Sequence, residues 1–165
     1  MTAASDIAAI PLFQGLSDAQ LEAVAGVLRK ARATEGDQIL TEGDPGRSLF
    51  VLVDGTVETT KHLGVIGLDG STPRQKVLVR LSAPQFFGEI GLLQDTPRSA
   101  TVRAATACQL LELRRDDFDR LVASDVHLGY TLMRNIAVAL IGRLRGTDRD
   151  ILKLTAALSI ALGNR

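Results

Sequence analysis

The passage Phe86-Phe87-Gly88-Glu89-Ile90-Gly91-Leu92-Leu93-Gln94-Asp95-Thr96-Pro97-Arg98-Ser99-Ala100-Thr101-Val102 sets a tight turn, a short helix and a strand side by side. Glycine at 88 lets the chain reverse sharply, and Glu89 to Leu93 reads as the short helix that follows. Ser99 to Ala104 reads as a strand entering a core, so Arg98 stands at its mouth with the charge near the interior. Amides exposed at such a turn form an anion-binding nest, and a guanidinium fork meets two phosphate oxygens at once. Ser99 adds a hydroxyl and an amide beside it, while Glu89 is an acceptor placed for a sugar hydroxyl. A carboxylate close to Arg98 is expected to balance its charge when no anion is bound.

Outward from this passage, residues 31–113 are β-rich: Gln38 to Thr41, Ser48 to Val53, Val77 to Leu81 and Thr101 to Ala104 are short strand candidates. Glycine turns such as Glu42-Gly43-Asp44-Pro45-Gly46 and Asp54-Gly55 separate them. Residues 61–76 read as a hairpin with a loose tip. Before the block, Ser17 to Lys30 opens on a Ser-Asp cap and sets Leu21, Val24, Ala25 and Leu28 on one helical face. After it, Arg114 to Ala123 is a helix, and a second, long helix begins near Asp125. Its Tyr130, Met133, Ala137, Leu140, Leu144, Thr147, Ile151, Leu154, Leu158 and Ala161 follow the three-and-four spacing of a coiled-coil seam. A second stripe, Leu128, Leu132, Ile136 and Ala139, is confined to the first half and is expected to lie against the β block. The fold class is therefore mainly β with flanking helices. The expected form is a double-stranded β-helix, or jelly-roll-like barrel, with an N-terminal helix and a long C-terminal helix. The chain divides into an N-terminal helical segment (1–30), a β-roll core (31–113) and C-terminal helices (114–165) that serve as lid and dimer seam.

Composition narrows the function. Lys plus Arg (19) equals Asp plus Glu (19), so no net positive field holds a nucleic-acid backbone or an anionic membrane, and any anion needs a local site. The single cysteine, Cys108, lies in an apolar strand-like run and reads as a small hydrophobe compatible with a reducing compartment. The N-terminus lacks the basic and apolar regions of a signal peptide, so the expected location is cytoplasmic. Leu154 to Leu162, the most apolar stretch, falls short of the roughly 20 residues of a membrane span.

The cassette from Phe87 to Val102 resembles that of the cyclic-nucleotide-binding domains found in the bacterial catabolite activator protein, cAMP-dependent kinase regulatory subunits and cyclic-nucleotide-gated channels. Those domains carry Phe-Gly-Glu-(Leu/Ile)-(Gly/Ala/Ser)-Leu, a spacer, then Pro-Arg-(Ser/Ala/Thr)-Ala-(Thr/Ser)-Val. The resemblance extends to Glu35-Gly36-Asp37, Glu42-Gly43-Asp44, Leu49 to Gly55 and Pro11 to Ser17, and runs to Leu140. It implies that Arg98, Ser99, Ala100 and Gly88 hold a cyclic phosphate and that Glu89 and Ile90 hold the ribose. Thr147 becomes a candidate for the base, reached across a dimer. In such domains a threonine after the arginine tends to favour cGMP, whereas a serine, as at Ser99, decides less, so the choice between cAMP and cGMP stays open with cAMP favoured. Pro84-Gln85 stands where such domains have Gly-Asp, so the approach turn is expected to differ.

The resemblance implies a regulatory sensor rather than an enzyme, with cyclic nucleotide as ligand and no cofactor. A homodimer through the last helix and an unidentified output protein are the expected partners. Direct DNA binding is not expected, because no helix-turn-helix follows before Arg165. A metal-dependent β-roll enzyme would need clustered histidines, and His62 and His127 are far apart in the sequence. The alternative is a degenerate roll that lost its ligand and only dimerises or docks, against which Glu89 and Arg98 argue.

Overall fold

The computed structural model describes residues 4–62 and 75–163. Its elements run α1 (Ala4–Ile7), a 3-10 turn at Pro11–Phe13, α2 (Asp18–Val27), β1 (Arg29–Ala33), β2 (Gln38–Leu40), β3 (Ser48–Asp54), β4 (Thr56–His62), β5 (Gln75–Ser82), β6 (Gln85–Phe87), α3 (Glu89–Leu93), β7 (Thr101–Ala104), β8 (Cys108–Arg114), α4 (Arg115–Ser124) and α5 (Val126–Gly163). Two four-stranded antiparallel sheets, ordered β1-β8-β3-β6 and β2-β7-β4-β5, face each other. The jelly-roll-like roll with a long C-terminal helix expected from the sequence is therefore present.

The period-two pattern of β3 shows how the first sheet sits between two cores. Leu49 and Val51 join the helices' buried cluster with Phe86, Leu111 and Leu113, while Leu52 joins Phe87, Val102, Cys108 and Leu110 between the sheets. A strand buried on both faces reads as a continuous apolar run, which is the text of Leu49 to Val53. Cys108 is buried and free in that inner cluster, as its strand context implied.

The expected helix of Ser17 to Lys30 is shorter. Ser17 caps it through a reciprocal capping box with Gln20, but Leu28 is already extended and Arg29 to Ala33 pair with β8. Arg-Lys-Ala-Arg-Ala has no strand pattern of its own; pairing along β8, with Ala33 in the inner cluster, overrides its helical propensity. The expected hairpin of 61–76 is flanked by β4 and β5, which pair from Thr56↔Ser82 to His62↔Gln75, and its tip lies outside the described residues. The Ala83–Pro84 peptide, just before the cassette, is cis.

α5 is 38 residues long. Leu128, Leu132 and Ile136 are buried with Phe13, Phe118 and Leu121, and Ala139 packs at the edge of that cluster. The Asn135 amide donates to the Leu12 and Gln14 carbonyls (2.9 and 2.8 Å), and Asp125 caps the helix by accepting from the Leu128 amide (2.9 Å). Beyond Ile136 the helix leaves the core, and Leu144, Ile151, Leu154 and Leu158 of the seam are exposed.

Candidate functional site

The site begins at Gly88. It caps α3 in the left-handed region (φ 80°, ψ 14°), which a side chain disfavours, and this turns β6 abruptly into the short helix. Opposite stands Arg98, whose backbone is clamped by the 42–45 loop. Its amide donates to the Asp44 carbonyl (2.8 Å), and its own carbonyl accepts from the Gly43 amide (2.9 Å). The Glu42 amide donates to Thr101 Oγ1 (3.0 Å), fastening the same loop to the start of β7. The Glu-Gly-Asp-Pro-Gly turn thus serves to aim one arginine.

The Arg98 side chain points inward and the residue is only 9% exposed. Nη1 donates to the Ser48 carbonyl (2.8 Å) and the Gly88 carbonyl (3.1 Å), and Nη2 donates to Ser48 Oγ (3.1 Å). Among the described residues none of these bonds goes to a carboxylate. Burial lowers the guanidinium's pKa from its ordinary value, while the charges of Glu112 and Glu89 act the other way without touching it. The carboxylates expected near Arg98 are there, as neighbours rather than ion-pair partners. The result is a buried, oriented cation with no carboxylate bonded to it among the described residues.

Glu89, the first residue of α3, is 7% exposed. Its Oε1 accepts from Arg143 Nη1 of α5 (3.0 Å), and its Oε2 has no hydrogen-bond partner within the described chain. Arg143 also donates through Nη2 to the Phe86 carbonyl, and its guanidinium stands 5.1 Å from the centre of the Phe86 ring. One side chain of α5 thereby closes over the acceptor of α3.

Between these groups lies a cavity of about 360 Å³, within the range of small-ligand sites. Gly88, Glu89, Ile90, Gly91, Arg98, Ser99 and Ala100 line one end, and Leu40, Thr59, Leu78, Val79, Leu81, Phe87 and Val102 supply the roll's side. Arg143, Gly146, Thr147 and Asp150 of α5 form the remaining wall. Every residue singled out in the sequence, Gly88, Glu89, Ile90, Arg98, Ser99, Ala100 and Thr147, thus borders one space. Thr147 is exposed, and its hydroxyl donates back to the Arg143 carbonyl (3.2 Å). Among the described residues no cluster of His, Cys, Asp or Glu has the grouping to hold a metal ion.

Sequence reasoning did not find Ser48, which anchors Arg98, or Arg143, which meets Glu89. Arg143 had one readable signal: it lies four residues before Thr147, hence on the same helical face. Ser48 had none, since its role depends on β3 lying across from the cassette.

Comparison with known proteins agrees with this geometry. The family model described as "Cyclic nucleotide-binding domain" matches residues 30–125, more than half of the chain. The chain is 38% identical over 118 residues to a cyclic nucleotide-gated potassium channel of Mesorhizobium japonicum, covering 72% of this chain and 29% of the channel. It is 34% identical over 113 residues to a cAMP-dependent protein kinase regulatory subunit of Colletotrichum orbiculare, covering 68% of this chain and 26% of that protein. It therefore spans under a third of either relative's length. Among solved structures, a cyclic nucleotide-binding domain from Methylobacillus flagellatus superposes with a TM-score of 0.78 at 25% identity, covering 91% of this chain and 80% of that one. Roll, cassette and matched sequence together place this chain in the cyclic nucleotide-binding domain family.

Proposed function

We propose that this chain is a non-enzymatic sensor that binds cAMP in preference to cGMP and reports occupancy through α5 to a partner protein, working as a cytoplasmic homodimer. The observation that carries the reading is Arg98, a buried guanidinium anchored on a carbonyl pair and a serine hydroxyl, with no carboxylate hydrogen-bonded to it among the described residues. A buried cation of this kind is relieved by an anion that brings its own acceptors. A cyclic phosphodiester, with one negative charge and two free oxygens, supplies both.

In this reading Arg98, Ser99, Ala100 and the amides beyond Gly88 hold the phosphate. Glu89 takes the ribose hydroxyl on Oε2, the acceptor left without a partner, and the Ile90 backbone completes that contact. Thr147 accepts from the base amino group. Ser99 does not add the cGMP preference associated with a threonine, and Thr147 is the group that favours adenine. Arg143 links the ribose acceptor to α5, so filling the cavity alters how that helix sits. The exposed seam of Leu144, Ile151, Leu154 and Leu158 supports pairing with a second copy, since a three-and-four apolar spacing is self-complementary.

Titration calorimetry with cAMP on Arg98→Ala tests the reading. A charge-assisted contact contributes about 1.5–3 kcal/mol, so affinity should fall at least about ten-fold. Unchanged affinity would remove Arg98, and with it the proposed pose.

A further inference from the structure

The cassette is held from behind by a second arginine. Arg115 opens α4, and its side chain is 13% exposed. Its Nε donates to the Leu92 carbonyl (2.9 Å) and its Nη2 to the Gly91 carbonyl (3.1 Å), while Nη1 lies 3.4 Å from Asp95 Oδ1. These carbonyls belong to the last turn of α3, where a helix leaves acceptors without internal partners and favours a cation. The Arg115 amide in turn donates to the Arg47 carbonyl (2.8 Å), and Arg47 Nη2 donates to Asp116 Oδ1 (3.0 Å), so the base of Arg115 is itself fixed.

Gly91 is where the two arginines meet. A Cβ on Gly91 would stand 2.6 Å from Arg98 Nη1, so the phosphate candidate lies flush against the peptide whose carbonyl Arg115 holds. α3 is a single short piece about 7.5 Å long, with Glu89 at its start on the cavity and Arg115 at its other end. Leu92, 2% exposed, belongs to the same buried cluster as Phe118 and Leu121 of α4 and Leu128 and Leu132 of α5. A displacement of α3 toward a ligand therefore pulls on α4 through two charge-assisted hydrogen bonds and on α5 through shared packing.

We infer that Arg115 is a positioning residue that ties the ligand cassette to the C-terminal helices, so that movement of α3 on nucleotide binding reaches α5 through it. The inference rests on the nucleotide-binding reading above. Three full-length proteins test it: wild type, Arg115→Met, which keeps the apolar stem without donors, and Arg115→Lys, which keeps the charge without the fork. Amide hydrogen exchange is followed with and without saturating cAMP, alongside calorimetry.

Without ligand, Arg115→Met should raise exchange at 89–95 and leave 77–82 unchanged. With cAMP, wild type should change its exchange at 126–140. The Met variant should bind about ten-fold more weakly and show no change there even at saturation. Lysine, able to reach one carbonyl but not both, should fall between them. A Met variant whose 126–140 response at saturation equals that of wild type overturns the tie while leaving nucleotide binding intact. If the Met variant does not fold, a Lys variant matching wild type in affinity and response overturns it equally. A wild type that responds to neither cAMP nor cGMP would instead sink the binding reading, and the relay with it.

Discussion

Gly88→Ala is the substitution whose effect the geometry constrains most. At φ 80° an alanine sits in the left-handed region, a penalty of roughly 1–2 kcal/mol for a residue with a Cβ. The new Cβ would also stand 3.0 Å from Arg98 Nη1, 3.2 Å from the Ser48 carbonyl oxygen and 3.3 Å from Leu40 Cδ1. The Ser48 oxygen belongs to a strand paired on both sides and has little freedom to retreat, so overpacking adds about 1–2 kcal/mol more. The loss of stability is about 2–4 kcal/mol, which for a chain of this size lowers Tm by about 6–12 °C. Because the yielding atom is the Arg98 guanidinium, cAMP affinity should fall about ten-fold as well, through loss of one anchoring bond. Scanning calorimetry without ligand and titration calorimetry with cAMP read the two effects separately. Gly26→Ala is the control: a Cβ there meets nothing within 4 Å, so it should preserve affinity and hold or raise Tm. A Gly88→Ala protein that melts and binds like wild type would refute both the strain and the placement of Arg98.

Three further outcomes follow from other parts of the molecule. Arg143→Met removes the ties to Glu89 and the Phe86 carbonyl, so local opening of α5 around 140–147 should become easier by about 1–2 kcal/mol, read as roughly 5–30-fold faster amide exchange there. Asp125 is held below its ordinary carboxylate range of 3.8, chiefly by the Gln20 side-chain hydrogen bond and then by the Leu128 amide. A depressed folded-state pKa gives stability that is present above the unfolded value and lost as pH falls through the folded one. The Tm gap between wild type and Asp125→Ala should therefore be full above about pH 5 and narrow steadily below pH 4 in thermal melts. Leu154→Glu places a charge in the proposed seam, and sedimentation velocity should show monomers where wild type sediments as a dimer.

Much of the architecture was legible because its signals are local. Gly88, the short helix and the strand behind Arg98 follow from conformational preferences acting over a few residues, and the apolar run of β3 reads as a strand, whose burial on both faces the structure adds. The α5 stripes were readable for the same reason, since helical periodicity alone sorts Leu128, Leu132 and Ile136 to one side. β1 was not, because charged and small residues become a strand only where β8 offers them a partner.

At the site, residue types such as the Arg98 guanidinium and the Glu89 carboxylate declared their chemistry in the sequence. Their partners did not: Ser48 is 50 positions from Arg98, Arg143 is 54 from Glu89, and Arg115 is 23 from the Leu92 carbonyl it holds. Local preference is written residue by residue, whereas a hydrogen bond across the roll exists only after two sheets and a long helix have buried their apolar faces together. The sequence by itself thus determined which groups are available to bind an anion and a sugar. Only the tertiary structure decided which backbone oxygens and which distant arginines hold those groups in place.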